Sequence, residues 1–167
     1  MKLIFDCGST KCAVGVVTGN GDADEIISLD SGFNACVHEA SQLEGLLDML
    51  CEKVHGGNVT DVWFYGAGCR EGQPIENVRR SLAGRFKDAN VSVASDMLGA
   101  ARAVCGNRPG IVGILGTGSN SCHYDGMRIT ANVSPLGYIL GDEGSGAVLG
   151  KLFLGRMFKG GFPQEVR

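Results

Sequence analysis

The sequence predicts an α/β fold on a partly parallel sheet. Three observations carry that expectation. Three short strands open the chain, strands and helices then alternate, and a second strand–turn–strand pattern restarts beyond Arg108-Pro109-Gly110. Strands that alternate with helices need crossover connections, and crossovers make neighbouring strands parallel.

Residues 2–6 and 11–18 read as two strands around the turn Asp6-Cys7-Gly8-Ser9-Thr10-Lys11. Gly19-Asn20-Gly21-Asp22 is a hairpin signal, because asparagine and glycine tolerate positive φ. Residues 25–30 then form the third strand. Leu43, Leu46, Leu47, Leu50, Cys51 and Val54 recur at helical spacing over 39–54, and Gly56-Gly57 stops that helix. A strand at 59–65 enters Gly66-Ala67-Gly68. Pro74 suits the first turn of a helix over 74–87. A strand at 91–94 and a helix at 97–104 complete the βββαβαβα order. Beyond the boundary at 108 come strands at 111–115, 121–125 and 128–133, and a helix that opens near 141–145 and carries Leu149, Leu152, Phe153 and Met157.

With 167 residues, 44% of them hydrophobic and 20% charged, the chain suits one good domain or two small soluble ones. A net charge of −3 argues against a nucleic-acid or anionic-membrane surface. Residues 1–5 run straight into a strand, so no leader peptide is expected. No apolar run reaches the roughly 18 residues of a membrane span. The seven cysteines are odd in number and none has CxxC spacing. That pattern argues against a disulfide framework, a zinc site or a redox pair, and against the clustered thiolates of an iron–sulfur centre. Reduced thiols in a cytoplasmic protein are the expectation. His38, His55 and His123 are scattered and read as satisfied or solvated, and Trp63 reads as core. No Walker A pattern is present, which disfavours a P-loop nucleotidase.

The first turn, residues 6–11, has a counterpart in Gly116-Thr117-Gly118-Ser119-Asn120, again at the end of an apolar strand. Such turns leave backbone N–H groups free, and glycine lets a polyanion approach. Two of them suggest a phosphate chain gripped twice, as in a nucleotide.

These two turns, Leu140-Gly141-Asp142-Glu143-Gly144-Ser145-Gly146, and Ser95-Asp96 ahead of a helix of small residues stand in order along residues 2–158. Together they resemble the N-acetylglucosamine kinase and BadF/BadG/BcrA/BcrD-type ATPase family of the actin, sugar kinase and Hsp70 superfamily. The resemblance implies a ribonuclease-H-like (actin-like ATPase) domain over 1–108, its mixed sheet covered by helices on both faces, and over 109–167 the beginning of a second, similar domain, with ATP in the cleft between such domains. It implies an ATP-dependent phosphotransferase acting on an amino sugar such as N-acetylglucosamine, with Mg²⁺. As the N-terminal part of that architecture, the 167-residue chain alone is expected to be inactive. No nucleic-acid or membrane partner is implied, and a homodimer is compatible with the family.

By the same resemblance, Asp96 is the catalytic base that accepts the proton of a sugar hydroxyl; helix capping is the competing role. Asp6 would hold Mg²⁺ through water, or cap its own turn. Gly8, Ser9, Thr10 and Lys11 would bind ATP phosphates from the first turn, with Lys11 alternatively a solvated strand residue. Gly116, Thr117, Gly118 and Ser119 would do so from the second, against the alternative of an ordinary hairpin. Asn34, Gly137 and Asp142 match the family's sugar contacts, although Asn34 also reads as a surface loop residue and Asp142 as a helix cap. One departure stands out. Members that bind N-acetylglucosamine often carry Gly-Trp-Gly where this chain has Ser134-Pro135-Leu136-Gly137-Tyr138, so the acyl pocket is expected to differ. Two other readings stay open: an ATPase that activates an iron–sulfur dehydratase, and a non-catalytic sugar-binding fragment.

Overall fold

A computed structural model describes residues 1–19, 21–54 and 57–163. Asn20 of the expected hairpin, His55, and Gly56 of the expected helix stop lie outside the described residues. The chain divides into two units, Met1–Gly99 and Ala100–Arg167.

In the first unit, β1 (Lys2–Cys7), β2 (Cys12–Val17) and β3 (Glu25–Leu29) form the opening meander, followed by α1 (Ala40–Lys53), β4 (Asp61–Gly66), α2 (Gln73–Arg85), β5 (Asn90–Ser95) and the start of α3 (Asp96–Cys105). The sheet order is β3-β2-β1-β4-β5. β2 runs antiparallel to β1 and β3, while β4 and β5 run parallel to β1. The mixed α/β sheet predicted from the element order is therefore present.

Side-chain alternation assigns the two faces. Leu3, Phe5 and Cys7 of β1, Val14 of β2, Ile27 and Leu29 of β3, and Val62 and Phe64 of β4 are buried against Leu43, Leu46, Leu47 and Leu50 of α1 and Val78 and Leu82 of α2. The opposite face carries Lys2, Ile4 and Asp6, with Trp63 and Tyr65 paired across from Ile4 and Asp6. Here α3 begins to pack: a side chain on Gly99 would strike the Tyr65 ring. Trp63 is thus not a core residue. It is only half-buried and lines a shallow cavity of about 370 Å³ with Lys2, Ile4, Val17 and Tyr65. The all-apolar appearance of Val62-Trp63-Phe64-Tyr65 hides the parity that separates the two faces.

The direction of the strands places the functional loops. β1, β4 and β5 are parallel, and β3 runs with them because two antiparallel pairings intervene. Their C-terminal ends therefore share one sheet edge, where ligands of open α/β sheets characteristically bind. The first glycine turn, residues 31–38, Gly66-Ala67-Gly68 and Ser95-Asp96 all emerge there.

In the second unit, β6 (Gly110–Leu115), β7 (Ser119–Tyr124) and β8 (Ile129–Val133) form an antiparallel sheet in the order β6-β7-β8, matching the β1-β2-β3 meander. Val112, Cys122 and Tyr124 are buried, and the Tyr124 hydroxyl donates to the Gly106 carbonyl at 3.2 Å. The expected helix is α5 (Gly146–Phe158), capped by Ser145, whose buried Oγ accepts the Val148 N–H. A short α4 (Gly137–Leu140) precedes it. The sequence did not signal α4, because its N-cap is Leu136, a non-glycine residue held at φ 56°. Among the described residues no helix is long and apolar enough to cross a membrane.

The core assignment makes a quantitative contrast. Leu47→Ala should destabilise the chain by about 2–5 kcal/mol in chemical denaturation. Ile26→Ala, at a side chain 70% exposed, should change stability by no more than about 0.5 kcal/mol.

Candidate functional site

The first glycine turn is a tight connection between β1 and β2. The Gly8 N–H donates to the Lys11 carbonyl at 3.0 Å. Ser9, Thr10 and Lys11 project from it and are exposed. Beneath the turn, Cys7 and Cys12 face each other as a register pair, both buried. Their mutual hydrogen bond, reinforced by burial, pushes the Cys12 thiol far above its ordinary range. Burial, then the Asp96 charge, pushes Cys69 up to about 12. Thiols held in this way are neutral packing groups.

The chain segment after β3 lies directly on this turn. The Phe33 N–H donates to the Gly8 carbonyl at 3.0 Å. A Cβ on Gly32 would collide with that carbonyl and with the Thr10 and Lys11 backbone nitrogens. Asn34 follows, bridged in parallel fashion to Ala67. Its Nδ2 donates to Ser9 Oγ at 3.1 Å and its Oδ1 accepts the Cys36 N–H at 3.0 Å. His38 returns to it, with Nδ1 accepting the Asn34 N–H at 3.2 Å. Gly68, at φ 71°, leaves room for the Asn34 side chain, which any Cβ there would overlap. Gly66-Ala67-Gly68 is therefore a packing partner of the Asn34 loop as well as a strand end.

Asp6 and Asp96 complete this edge. Asp6 is exposed on the face away from the core. Asp96 opens α3, but it is not the helix's hydroxyl-type cap: Ser95 Oγ accepts the Leu98 N–H at 3.2 Å, the N-cap to N3 geometry. Asp96 Oδ1 accepts its neighbour's N–H, Met97, at 2.8 Å. Burial raises the Asp96 carboxyl above the usual carboxylate range; the Met97 hydrogen bond opposes this, and the Asp6 charge adds to it. Such a carboxylate has enhanced affinity for a proton, which suits a general base. No three His, Cys, Asp or Glu side chains converge as a metal cage among the described residues. The donor set here, one exposed carboxylate with a second nearby, fits a cation such as Mg²⁺ that keeps most of its waters.

In the second unit, Gly116, Thr117 and Gly118 form the loop joining β6 to β7, closed by Gly116 N–H to Gly118 O at 2.9 Å. It is a hairpin loop in form, and Ser119 is the first residue of β7. The α5 N-terminus is stapled to it, Gly146 N–H donating to Gly116 O at 2.9 Å and Ala147 N–H to Thr117 O at 3.3 Å. Asp142 is buried at φ 60°. Its Oδ2 lies 3.0 Å from where a Cβ on Gly118 would stand, so Asp142 and the second turn are brought together. The Asp142 N–H donates to Pro135 O at 2.8 Å, closing the loop that carries Gly137. Gly137 itself is exposed.

Sequence reasoning missed the engagement of Gly32 and the Ser95 cap, and it read His38 as satisfied without identifying the partner, which is the Asn34 N–H. The Ser95 cap was readable from Ser-x-x-Leu ahead of the helix. Gly32 acts through backbone packing on the first turn, a partner distant in sequence, and His38 closes back on the Asn34 N–H four residues earlier, in a turn its residue type does not announce.

Over 98% of its length the chain is similar to a candidate N-acetylglucosamine kinase from Porphyromonas gingivalis, with 44% identity and a TM-score of 0.89, and it spans 58% of that protein. A candidate N-acetylglucosamine kinase from Chromobacterium violaceum shares the fold at 22% identity and a TM-score of 0.72, over 90% of this chain and 54% of that one. The ethanolamine utilization protein EutJ from Carboxydothermus hydrogenoformans does so at 20% identity and a TM-score of 0.60, over 95% and 56%. The chain thus spans a little over half the length of these proteins. No family model and no curated protein matches it. The resemblance to N-acetylglucosamine kinases carried by the motifs holds along nearly the whole chain, and the fold is that of the actin-like ATPases and sugar kinases.

The raised Asp96 carboxyl has a consequence for stability. A carboxyl that binds its proton more tightly when folded contributes stability that declines as pH rises from the unfolded-state value through the raised one, and it is a net cost above that. Asp96→Asn removes the cost. The variant should melt at a higher temperature than the parent at pH 7, and the difference should shrink toward zero as pH falls below the usual carboxylate range.

Proposed function

We propose that this chain carries the phosphate-binding and sugar-binding elements of an ATP-dependent kinase that phosphorylates an amino sugar of the N-acetylglucosamine type, with Mg²⁺. The observation that carries the reading is Asp96: a half-buried carboxylate of raised proton affinity, with the N-cap-to-N3 bond of the helix taken by Ser95, at the same sheet edge as the first glycine turn and Asp6. The 44% identity to a candidate N-acetylglucosamine kinase supports the same choice of substrate class.

The residues divide the work by chemistry. Asp96 accepts the proton of the attacking sugar hydroxyl as the phosphoryl group transfers, a step in which positioning and charge stabilisation dominate. The N–H groups and hydroxyls of Gly8, Ser9 and Thr10, with Lys11 as a mobile cation, bind phosphate oxygens, as do Gly116, Thr117, Gly118 and Ser119. Asp6 holds Mg²⁺ through water, and the cation offsets phosphate charge. Asp142, buried and fixed against Gly118, and Asn34 offer hydrogen-bonding groups to sugar hydroxyls, and Gly137 offers backbone. Leu136, 62% exposed at the position of the family's tryptophan, supplies a smaller apolar surface to an acyl group, so discrimination between acylated and free amino sugars should be weak.

The test is turnover by the native gene product with Mg·ATP and a panel of amino sugars. Phosphorylation of an N-acetylated hexosamine is expected. Asp96→Asn should lower kcat by about 10²–10⁴-fold while sugar and nucleotide still bind by calorimetry. The acidic limb of kcat/KM should lie above the usual carboxylate range, since a protonated Asp96 accepts nothing. Wild-type turnover by the variant would contradict the assignment.

A further inference from the structure

Asn34 corresponds to a sugar contact, yet half of its amide is already committed within the folded chain. The carbonyl Oδ1 accepts the Cys36 N–H at 3.0 Å. That bond fixes which end of the amide is oxygen, and so fixes Nδ2 as the group 3.1 Å from Ser9 Oγ. A serine hydroxyl has one proton and two lone pairs. Because Ser9 Oγ accepts from Asn34, its own proton remains for another acceptor, and Ser9 projects from the turn assigned to phosphate. The Asn34 amide keeps one N–H and one lone pair unused, enough for a sugar hydroxyl.

We propose that Asn34 is a positioning residue for the nucleotide as well as a sugar contact: it holds Ser9 Oγ as an acceptor, so that the Ser9 proton is presented to an anionic phosphate oxygen. The surroundings lock this arrangement from several sides. His38 Nδ1 accepts the Asn34 N–H, the Cys36 thiol donates to the Gly68 carbonyl at 3.1 Å, and Gly68 lacks the side chain that would displace the amide. Gly32 and Phe33 rest on the turn that carries Ser9. The loop that meets the sugar and the turn that meets the phosphates therefore share one hydrogen bond. The inference rests on the kinase reading for the identity of the two ligands.

Asn34→Asp separates the roles. A carboxylate still accepts the Cys36 N–H but has no proton to give, so the Ser9 hydroxyl turns to donate to it and is lost to phosphate. Mg·ATP affinity of the native gene product is measured by calorimetry with sugar omitted, in wild type, N34D, S9A and the double variant. N34D should weaken binding about tenfold or more. On the S9A background the same substitution should weaken it by a factor at least about threefold smaller, because the bond it reverses is already gone. The added negative charge acts alike in both backgrounds and cancels. A factor that fails to shrink by about threefold would overturn the proposal, leaving Asn34 a sugar contact or a loop brace only. Ser9 variants give a second arm that leaves the Asn34 loop intact: S9T, which keeps a hydroxyl, should retain affinity within about threefold, and S9A should lose about tenfold. Retention of affinity by S9A also overturns it. Because the readout is nucleotide binding without sugar, it is scored even if the wild-type protein phosphorylates no amino sugar, the result that would defeat the kinase reading itself.

Discussion

The first unit is organised by a backbone-on-backbone contact. The segment leaving β3 crosses the first glycine turn so closely that Gly32 has no room for a single carbon beyond Cα, and the Phe33 N–H bonds to the Gly8 carbonyl. The placement of the Asn34 loop on this sheet edge follows from that contact. It brings Asn34 within reach of Ser9. It sets the Asn34 loop against Gly66-Ala67-Gly68, where a second missing side chain is required. Phe33, buried here, stacks its edge on His38, tying the loop to the hydrophobic core below. The loop is thus tied down by hydrogen bonds and close backbone contacts, and the proposed function relies on donors held at defined positions.

The two glycine turns are equivalent by topology and different in support. Each joins the first two strands of an antiparallel meander. The first is backed by the loop after β3; the second is stapled by the amides of Gly146 and Ala147 at the start of α5 and faced by the Asp142 carboxylate. In both, an acidic side chain stands by the glycine turn. A carboxylate there would repel phosphate unless a cation or a proton intervened, which is why the proposed function pairs Asp6 with Mg²⁺ and Asp96 with a hydroxyl proton.

The elements were legible because their periodicities were clear. Leu43, Leu46, Leu47 and Leu50 marked α1, and all four are buried; the meander, the crossovers and the restart of the pattern also fell where expected within a residue or two. Face assignment was not legible where apolar and aromatic residues run consecutively, as over Val62-Trp63-Phe64-Tyr65, and Trp63 shows the cost. α4 escaped because its cap uses Leu136 in a left-handed conformation, where glycine or asparagine would have announced it. At the site, residue types pointed to Asp6, Asp96, Asn34 and both turns. Their engagement did not show in the sequence, since Ser9 and Asn34, or Gly118 and Asp142, meet only after the strands have set the loops side by side. The Ser95–Asp96 pair is instructive. Either residue suits a helix start, and only the folded geometry gives the N-cap-to-N3 bond to serine and leaves the aspartate on the Met97 N–H.

The central claim is that these turns bind nucleotide phosphates through their backbone amides. Its most direct test is an amide-resolved NMR titration of the isotopically labelled native gene product with Mg·ATP. The account predicts that the N–H resonances of Gly8, Ser9, Thr10 and Lys11, and those of Gly116, Thr117, Gly118 and Ser119, move most. Unmoved turn resonances, with shifts confined elsewhere, such as to the cavity lined by Trp63 and Tyr65, would contradict it.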